Sequence, residues 1–205
     1  CGGLSVGSHT FTRNNITGGF LLFDSAQATP FPYNNITGNL VLLGSASASD
    51  LIASNNTVNL PAASSIQNAI YLAGTDGTVN VGAGTYTPFG NVSGDPSGVT
   101  IQTTEGAVID GSVLPADKRI VELSGDGMTF SGFTVNGIGT GVGNVGISVD
   151  GQGVTVSGNT INNTQTGIQT HTPGNAIITG NTITAAYGVS LQSVGNTVSG
   201  NTVTA

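Results

Sequence analysis

Charged and aromatic side chains are scarce in this chain. Its 205 residues include three Lys and Arg, ten Asp and Glu and no Trp, and the formal net charge is -7. Clustered Lys and Arg are what bind nucleic acids and anionic membranes, so this composition excludes both as partners. No apolar run reaches the roughly 20 residues of a membrane span. No signal peptide is visible, and the Thr-, Ser- and Asn-rich surface favours a mature secreted protein, extracellular or at the cell surface.

Cysteine is nearly absent as well. The single residue, Cys1, excludes a disulfide framework and leaves two interpretations. It is either a small buried thiol at a subunit joint, as free Cys usually behaves, or the lipidated first residue of a mature lipoprotein.

A six-residue repeat dominates what is present: an apolar β-former, Ser or Thr, Gly, a turn residue, any residue, and a second apolar β-former. Successive copies are separated by 20 and 22 residues near the N-terminus and by 26, 22 and 20 residues in the C-terminal half. Such periods are typical of a parallel β-solenoid with one coil per repeat. Because Gly and Asn tolerate tight left-handed corners, we expect a stacked amide ladder at three equivalent corners. The copies start at Ile16, Ile36, Phe130, Val156, Ile178 and Val198, with a degenerate copy at Val58, and the predicted ladder residues are Asn159, Asn181 and Asn201.

Four segments carry a family resemblance: SIQNAIYLA at 65–73, GTVNVGAGTY at 77–86, VTIQ at 99–102 and VIDG at 108–111. This sequence resembles the opening of right-handed parallel β-helix proteins of the pectin-lyase-like superfamily. The resemblance implies an all-β fold, a right-handed parallel β-helix with a short N-terminal capping helix near residues 64–73. The same fold carries lyases, hydrolases, adhesins and inert spikes, so it specifies function poorly.

We expect three segments. Residues 76–205 form the main parallel β-helix of about six coils, by the repeat count, and residues 61–75 hold the linker and the capping helix. Residues 1–60 are predicted to add about three coils to a neighbouring subunit's C-terminal end, because an open β-helix end invites strand addition.

The two ends of the chain match each other. Read tail to head, VTA at 203–205 followed by CGGLSV at 1–6 parallels ITAAYGVSL at 183–191. This predicts copies of the chain joined head to tail, or, as an alternative, tandem units joined covalently in a longer chain. The predicted joint residues are Cys1, Gly2, Gly3, Leu4, Val6, Val203, Thr204 and Ala205.

Asn-X-Ser/Thr sequons recur along the chain. Some arise by chance in a repeat rich in Asn and Thr, but outward sequons in a secreted protein are credible N-glycosylation sites. They begin at Asn15, Asn35, Asn55, Asn91 and Asn162.

Catalytic candidates are few. We interpret Lys118 and Arg119, beside Asp117 and Glu122, as a surface ion-pair patch, and His9 and His171 as ordinary surface residues. We therefore expect no catalytic residues, no metal ligands and no cofactor. The alternative is a Ca²⁺ site in a loop, among acidic residues next to turns. These are Asp76, Asp95, Asp110, Asp126 and Asp150.

The function expected is that of a non-enzymatic structural subunit of an extracellular filament or surface assembly. Its partners are copies of itself, head to tail, with surface glycans as a further possibility. The alternative is a carbohydrate-binding or polysaccharide-degrading β-helix protein. That alternative requires a groove with clustered carboxylates and aromatic side chains, for which Tyr86, Phe89 and Tyr187 are the candidates.

Overall fold

The computed structural model describes residues 10–18, 20–22, 29–38, 40–42, 51–62, 64–90, 94–141 and 143–205. They form a solenoid of short parallel strands with one α-helix. The helix is α1 (Ile66–Ala73). The strands are β1 (Asn15–Thr17), β2 (Phe20–Leu22), β3 (Thr29–Pro32), β4 (Asn35–Thr37), β5 (Leu40–Leu42), β6 (Leu51–Ser54), β7 (Thr57–Leu60), β8 (Thr78–Val81), β9 (Gly84–Tyr86), β10 (Thr100–Gln102), β11 (Ala107–Asp110), β12 (Arg119–Leu123), β13 (Thr129–Ser131), β14 (Thr134–Asn136), β15 (Val145–Val149), β16 (Thr155–Ser157), β17 (Thr160–Thr170), β18 (Ile177–Thr179), β19 (Thr182–Leu191), β20 (Thr197–Ser199) and β21 (Thr202–Thr204).

The first sheet contains one strand from each coil. Its nine strands lie in the order β1-β4-β7-β8-β10-β13-β16-β18-β20, and every pairing is parallel. Since side chains alternate across a strand, the central residue of each strand points into the solenoid. We call these residues the first inward row: Ile16, Ile36, Val58, Val79, Ile101, Phe130, Val156, Ile178 and Val198.

A second sheet of eight strands closes the other faces of the later coils. The long strands β17 and β19 bend around a corner, so that the start of β17 pairs with β14 and its end pairs with β15. The residues that point inward at the start of this sheet form the second inward row: Tyr86, Ile109, Val135, Ile161, Ile183 and Val203. In the N-terminal coils, two small sheets, β2-β5 and β3-β6, complete the wall.

Helix α1 lies where it was predicted. The Ser65 side chain accepts a hydrogen bond from the Asn68 backbone N–H at 3.2 Å and caps its first turn, and Gly74, with φ of 68°, ends it. Its buried face includes Ile66, Ala69, Ile70 and Ala73. The helix packs against β5, β6, β7 and β8. Coils therefore lie on both sides of the helix, which is part of the third coil.

The described residues show no break between residues 1–60 and the main stack, and the predicted addition of these coils to a neighbouring subunit stays a prediction. Strand β7 pairs directly with β8, from Thr57 with Thr78 to Leu60 with Val81, so the N-terminal coils continue their own chain's stack. They add to its N-terminal side, which requires only the short connection through α1. Three first-sheet strands precede the helix and six follow it.

Candidate functional site

The last coil leaves open two apolar residues whose counterparts in the two preceding coils are buried. In the first inward row, Val156 and Ile178 are 0% exposed but Val198 is 42% exposed. In the second inward row, Ile183 is 0% exposed but Val203 is 50% exposed. The C-terminal end of the described stack is thus an uncovered section through the hydrophobic core.

The edge strands β1 and β20 carry complementary backbone groups. Within the stack, a corner glycine donates its backbone N–H to the next coil; for example, Gly180 N–H donates to Ser199 O at 3.2 Å. The first residue of a strand donates its backbone N–H to the preceding coil; for example, Thr197 N–H donates to Ala176 O at 2.8 Å. By the same pattern, Gly200 N–H points toward a following coil and the Thr17 carbonyl toward a preceding one. Among the described residues, neither group has a partner in such a coil.

Nothing in the composition of the C-terminal coils protects this edge. Natural sheet edges are usually blunted by charged residues or proline, which discourage strand addition. Residues 151–205 contain no Asp, Glu, Lys or Arg, and their one proline, Pro173, lies between β17 and β18 rather than on the last coil. The edge therefore lacks the usual barrier to pairing with another strand.

The structure stacks the three predicted ladder residues in adjacent coils. Asn159 N–H and Nδ2 donate to Asn181 Oδ1 at 2.9 and 3.1 Å, and Asn181 N–H and Nδ2 donate to Asn201 Oδ1 at 2.8 and 2.9 Å. The left-handed corner is made by the glycine before each Asn, for example Gly180 with φ of 66°. Asn159 and Asn181 are buried, so the ladder satisfies backbone groups inside the wall.

Sequence reasoning missed a second set of amides, at the corner directly before four of the nine first-sheet strands. We call the position directly before each first-sheet strand the entry position. Asn14 N–H donates to Asn34 Oδ1 at 2.9 Å, and Asn34 N–H donates to Asn56 Oδ1 at 2.6 Å. The detectable signal is an Asn two residues before an inward apolar residue. Along the stack the entry positions are Asn14, Asn34, Asn56, Gly77, Val99, Met128, Val154, Ala176 and Asn196.

An open groove runs beside the first sheet. It encloses about 360 Å³ and includes an outward amide row in which Asn80 donates to Asn59 at 3.0 Å and Gln102 donates to Asn80 at 2.9 Å. Glu105, whose carboxylate accepts the Ala83 N–H at 3.2 Å, also lines it. The groove thus offers amides and a single carboxylate.

The candidate aromatic residues do not meet in this groove. Tyr86 is buried and donates its hydroxyl to Gly82 O at 2.8 Å; burial, with a smaller contribution from the Glu105 carboxylate, raises the pKa of this phenol. Phe89 packs on Phe130 at 6.0 Å between ring centroids, whereas Tyr187 is exposed. No aromatic platform is therefore formed by these three residues.

The predicted ion-pair patch is rearranged. Arg119 contacts Glu122 on its own strand and Asp150 from the next coil at 3.4 Å, with His171 Nε2 3.4 Å from its guanidinium. Lys118 is exposed, and no salt bridge is formed by it in the described part of the chain. A single guanidinium thus holds both carboxylates, as in a surface ion-pair network.

The acidic residues near turns are dispersed. Asp95 accepts hydrogen bonds from Gln67 and Ser124, Asp126 accepts the Gln152 N–H, and Asp150 faces Arg119. Asp110 accepts the Ser112 N–H at 2.9 Å, and this bond lowers the pKa of its carboxyl. Across the residues described, no group of three or more His, Cys, Asp or Glu side chains gathers as a metal site.

The sequons differ in their settings. Asn15 and Asn35 are exposed on neighbouring strands, and Asn35 Nδ2 donates to Asn15 Oδ1 at 3.2 Å. Asn55 is exposed at a left-handed corner with φ of 54°, whereas Asn162 is half-buried within β17. Several predicted residues lie outside the described residues: Cys1, Gly2, Gly3, Leu4, Val6, His9 and Asn91.

In the described part of the chain, the single helix is too short to traverse a bilayer. Comparison with curated proteins and with solved structures finds no match. The family model described as right handed beta helix region matches residues 90–205, more than half of the chain. The stacked parallel coils and this match together place the chain in the right-handed β-helix family.

Proposed function

We propose that this protein is a structural subunit of an extracellular filament or surface assembly, without enzymatic activity. Copies join head to tail, so that the β-helix of one continues into the next. The observation that carries the proposal is the uncovered last coil, where Val198 and Val203 are 42% and 50% exposed at positions buried in the coils before it. A following coil would cover both side chains.

Energetics favour this joint over a flat contact. Burying a whole Val or Leu side chain contributes about 1.5 to 3 kcal/mol of stabilisation. Covering the exposed half of Val198 and of Val203 therefore contributes about 1 kcal/mol for each side chain. Leu191 is also 50% exposed, and the backbone groups at Gly200 and Thr17 gain partners in the same step. The first coil presents a matching apolar residue, Ile16, which is only partly buried.

A row of glycines supports the sequence match between the two ends. Gly146, Gly167 and Gly188 are in register, and a Cβ at each would lie 2.6, 2.3 and 2.3 Å from the inward residues Ile161, Ile183 and Val203. At Gly146 and Gly167 a Cβ would also lie 2.6 Å from a backbone carbonyl oxygen, so these two positions require glycine. The tail-to-head match puts Gly3 at the next place in this row.

The test compares wild type with Val198→Asp by sedimentation velocity and negative-stain electron microscopy. We expect filaments from wild type, and soluble monomers from Val198→Asp because an unpaired carboxylate cannot be buried in the joint. The matched control is Val113→Asp. Val113 is 67% exposed in the 3₁₀ turn Gly111–Val113, away from both ends, so this variant should still assemble.

Monomeric wild type at all concentrations, or filaments of normal length from Val198→Asp, would contradict the proposal. Intact-mass measurement of native material, before and after disassembly, separates non-covalent subunits from tandem units joined covalently. The same spectrum reports glycans at the sequons.

Carbohydrate binding is the second candidate, and the amide-lined groove beside Asn59, Asn80 and Gln102 favours it. Amides and one carboxylate can hydrogen-bond sugar hydroxyls. Glycan-array binding by wild type that is lost in Asn80→Ala, without any change in assembly, would support this function.

A further inference from the structure

Amides occupy the entry position at the two ends of the stack and not between them. Asn14, Asn34 and Asn56 lie in the first three coils and Asn196 in the last. The intervening entry residues are buried and carry no side-chain amide: Gly77, Val99, Met128, Val154 and Ala176.

Each amide serves the coil before it. Asn34 Oδ1 accepts both the backbone N–H and Nδ2 of Asn14, at 2.9 and 3.0 Å, and Asn196 Oδ1 accepts the Ala176 N–H at 2.9 Å. By this direction, Asn14 Oδ1 is oriented to receive donors from a coil preceding the first. Asn196 N–H is the corresponding donor toward a coil following the last, whereas Asn196 Nδ2 donates to Ser193 O at 2.9 Å within its own coil.

We propose that Asn196 of one copy donates to Asn14 Oδ1 of a second copy, and that this bond sets the register of the joint. The inference rests on the proposed end-to-end assembly and names the contact that aligns it. Across the joint, four consecutive coils then carry an amide at the entry position: Asn196, Asn14, Asn34 and Asn56.

Register needs such a device because the edge strands are nearly featureless. Both β1 and β20 are three residues long, with one inward apolar residue each. A slip of two residues along the strand keeps the same faces inward and costs little backbone pairing. It would, however, leave Asn14 and Asn196 facing different residues, with buried amide groups unpaired. A single polar residue at an otherwise apolar position fixes register in coiled coils by the same logic.

The experiment is disulfide trapping in a Cys1→Ser background. Thr197→Cys is combined with Asn15→Cys, its neighbour in the proposed register, or with Thr17→Cys, its neighbour after a two-residue slip. Directly opposed outward residues lie about 5 Å apart, within disulfide range, whereas diagonal ones lie about 7 to 8 Å apart. Intermolecular dimers are counted on non-reducing gels.

With Asn14 intact, we expect the yield of the 197–15 disulfide to exceed that of the 197–17 disulfide by about tenfold or more. This ratio corresponds to the free energy of roughly one buried hydrogen bond. In Asn14→Ala the preference should fall to about threefold or less. The matched control, Asn80→Ala, loses an amide far from either end and should keep the full preference. Asn14 is exposed, so its loss leaves the fold intact, which a thermal melt verifies.

An unchanged preference in Asn14→Ala, in filaments that still form, would overturn this inference and leave the proposed function standing. Wild type that forms neither filaments nor intermolecular disulfides would overturn both.

Discussion

Two nearly identical hexapeptides behave differently in this molecule. VSGNTI at 156–161 and VSGNTV at 198–203 differ by one methylene, yet Val156 is 0% exposed and Val198 is 42% exposed. Both begin on a first-sheet strand and turn at a left-handed glycine, Gly158 or Gly200, each with φ of 63°. The local conformation is thus the same, and only the presence of a following coil differs.

The burial of an inward residue in this molecule therefore depends on its place in the stack. A repeat encodes one coil, but the coil's apolar face is covered only by its neighbours, so a solenoid of repeats has two unsatisfied ends. Terminal repeats usually carry polar caps for this reason. The last described coil instead repeats the interior pattern.

The largest loss of stability is expected from a charge placed in the interior hexapeptide, residues 156–161. Val156→Asp buries an unpaired carboxylate and should reduce the free energy of unfolding by about 4 kcal/mol or more. Val198→Asp places the same charge on the open coil, where water reaches it, and should cost about 1 kcal/mol or less in the monomer. Urea unfolding followed by circular dichroism measures both. Equal losses would show that Val198 is buried in the isolated chain.

The amide ladder gives the next comparison. Asn181→Ala leaves the buried backbone N–H of Asn159 without an acceptor and should cost about 2 kcal/mol. Asn201→Ala, at the open end of the same ladder, should cost about half of that, because its partners are closer to solvent. Thermal melts of the two variants test this order, and the reverse order would contradict the ladder's dependence on position.

A smaller loss of stability is expected when the ion-pair network around Arg119 is removed. Arg119→Ala leaves Glu122 and Asp150 without their shared guanidinium, and the loss should be about 1 kcal/mol at low salt. Because the side chains are partly exposed, added salt should shrink the difference from wild type. A difference that persists undiminished in 1 M salt, about seven times physiological ionic strength, would indicate a buried role.

The smallest change in stability is expected from Asp110. Its pKa is lowered by the hydrogen bonds from Ser112, so its contribution to stability is present above the ordinary value of 3.8 and is lost as pH falls through the lowered pKa. Asp110→Asn keeps an acceptor but cannot titrate. Melting temperatures of wild type and variant should therefore converge as the pH falls from about 5 to about 2, and a constant difference would contradict this assignment.

The repeat period made most of the fold predictable. An apolar residue, a glycine corner and a second apolar residue at fixed spacing predict coil after coil, and every predicted repeat start lies in the first inward row. Val79 and Ile101, in the same row, were not among the predicted starts. Helix α1 was predictable from its apolar face and its Ser65 cap.

The placement of residues 1–60 was not predictable by the same route. The repeats indicate which segments stack, but not on which side of the main stack residues 1–60 lie. Their place depends on two features of the fold: α1 fits within the third coil, and β7 pairs with β8. The entry-position amides were missed for a related reason. Their role emerges from partners 20 and 22 residues away, as for Asn14 with Asn34 and Asn34 with Asn56.

The most direct measurement of the central claim is electron cryo-microscopy of wild-type material at a resolution that traces the strands. We predict a continuous β-helix through each joint, with β20 of one copy parallel to β1 of the next and Val198 beside Ile16 in the covered row. Particles in which the last coil stays exposed, or filaments held together only by their side walls, would contradict the account.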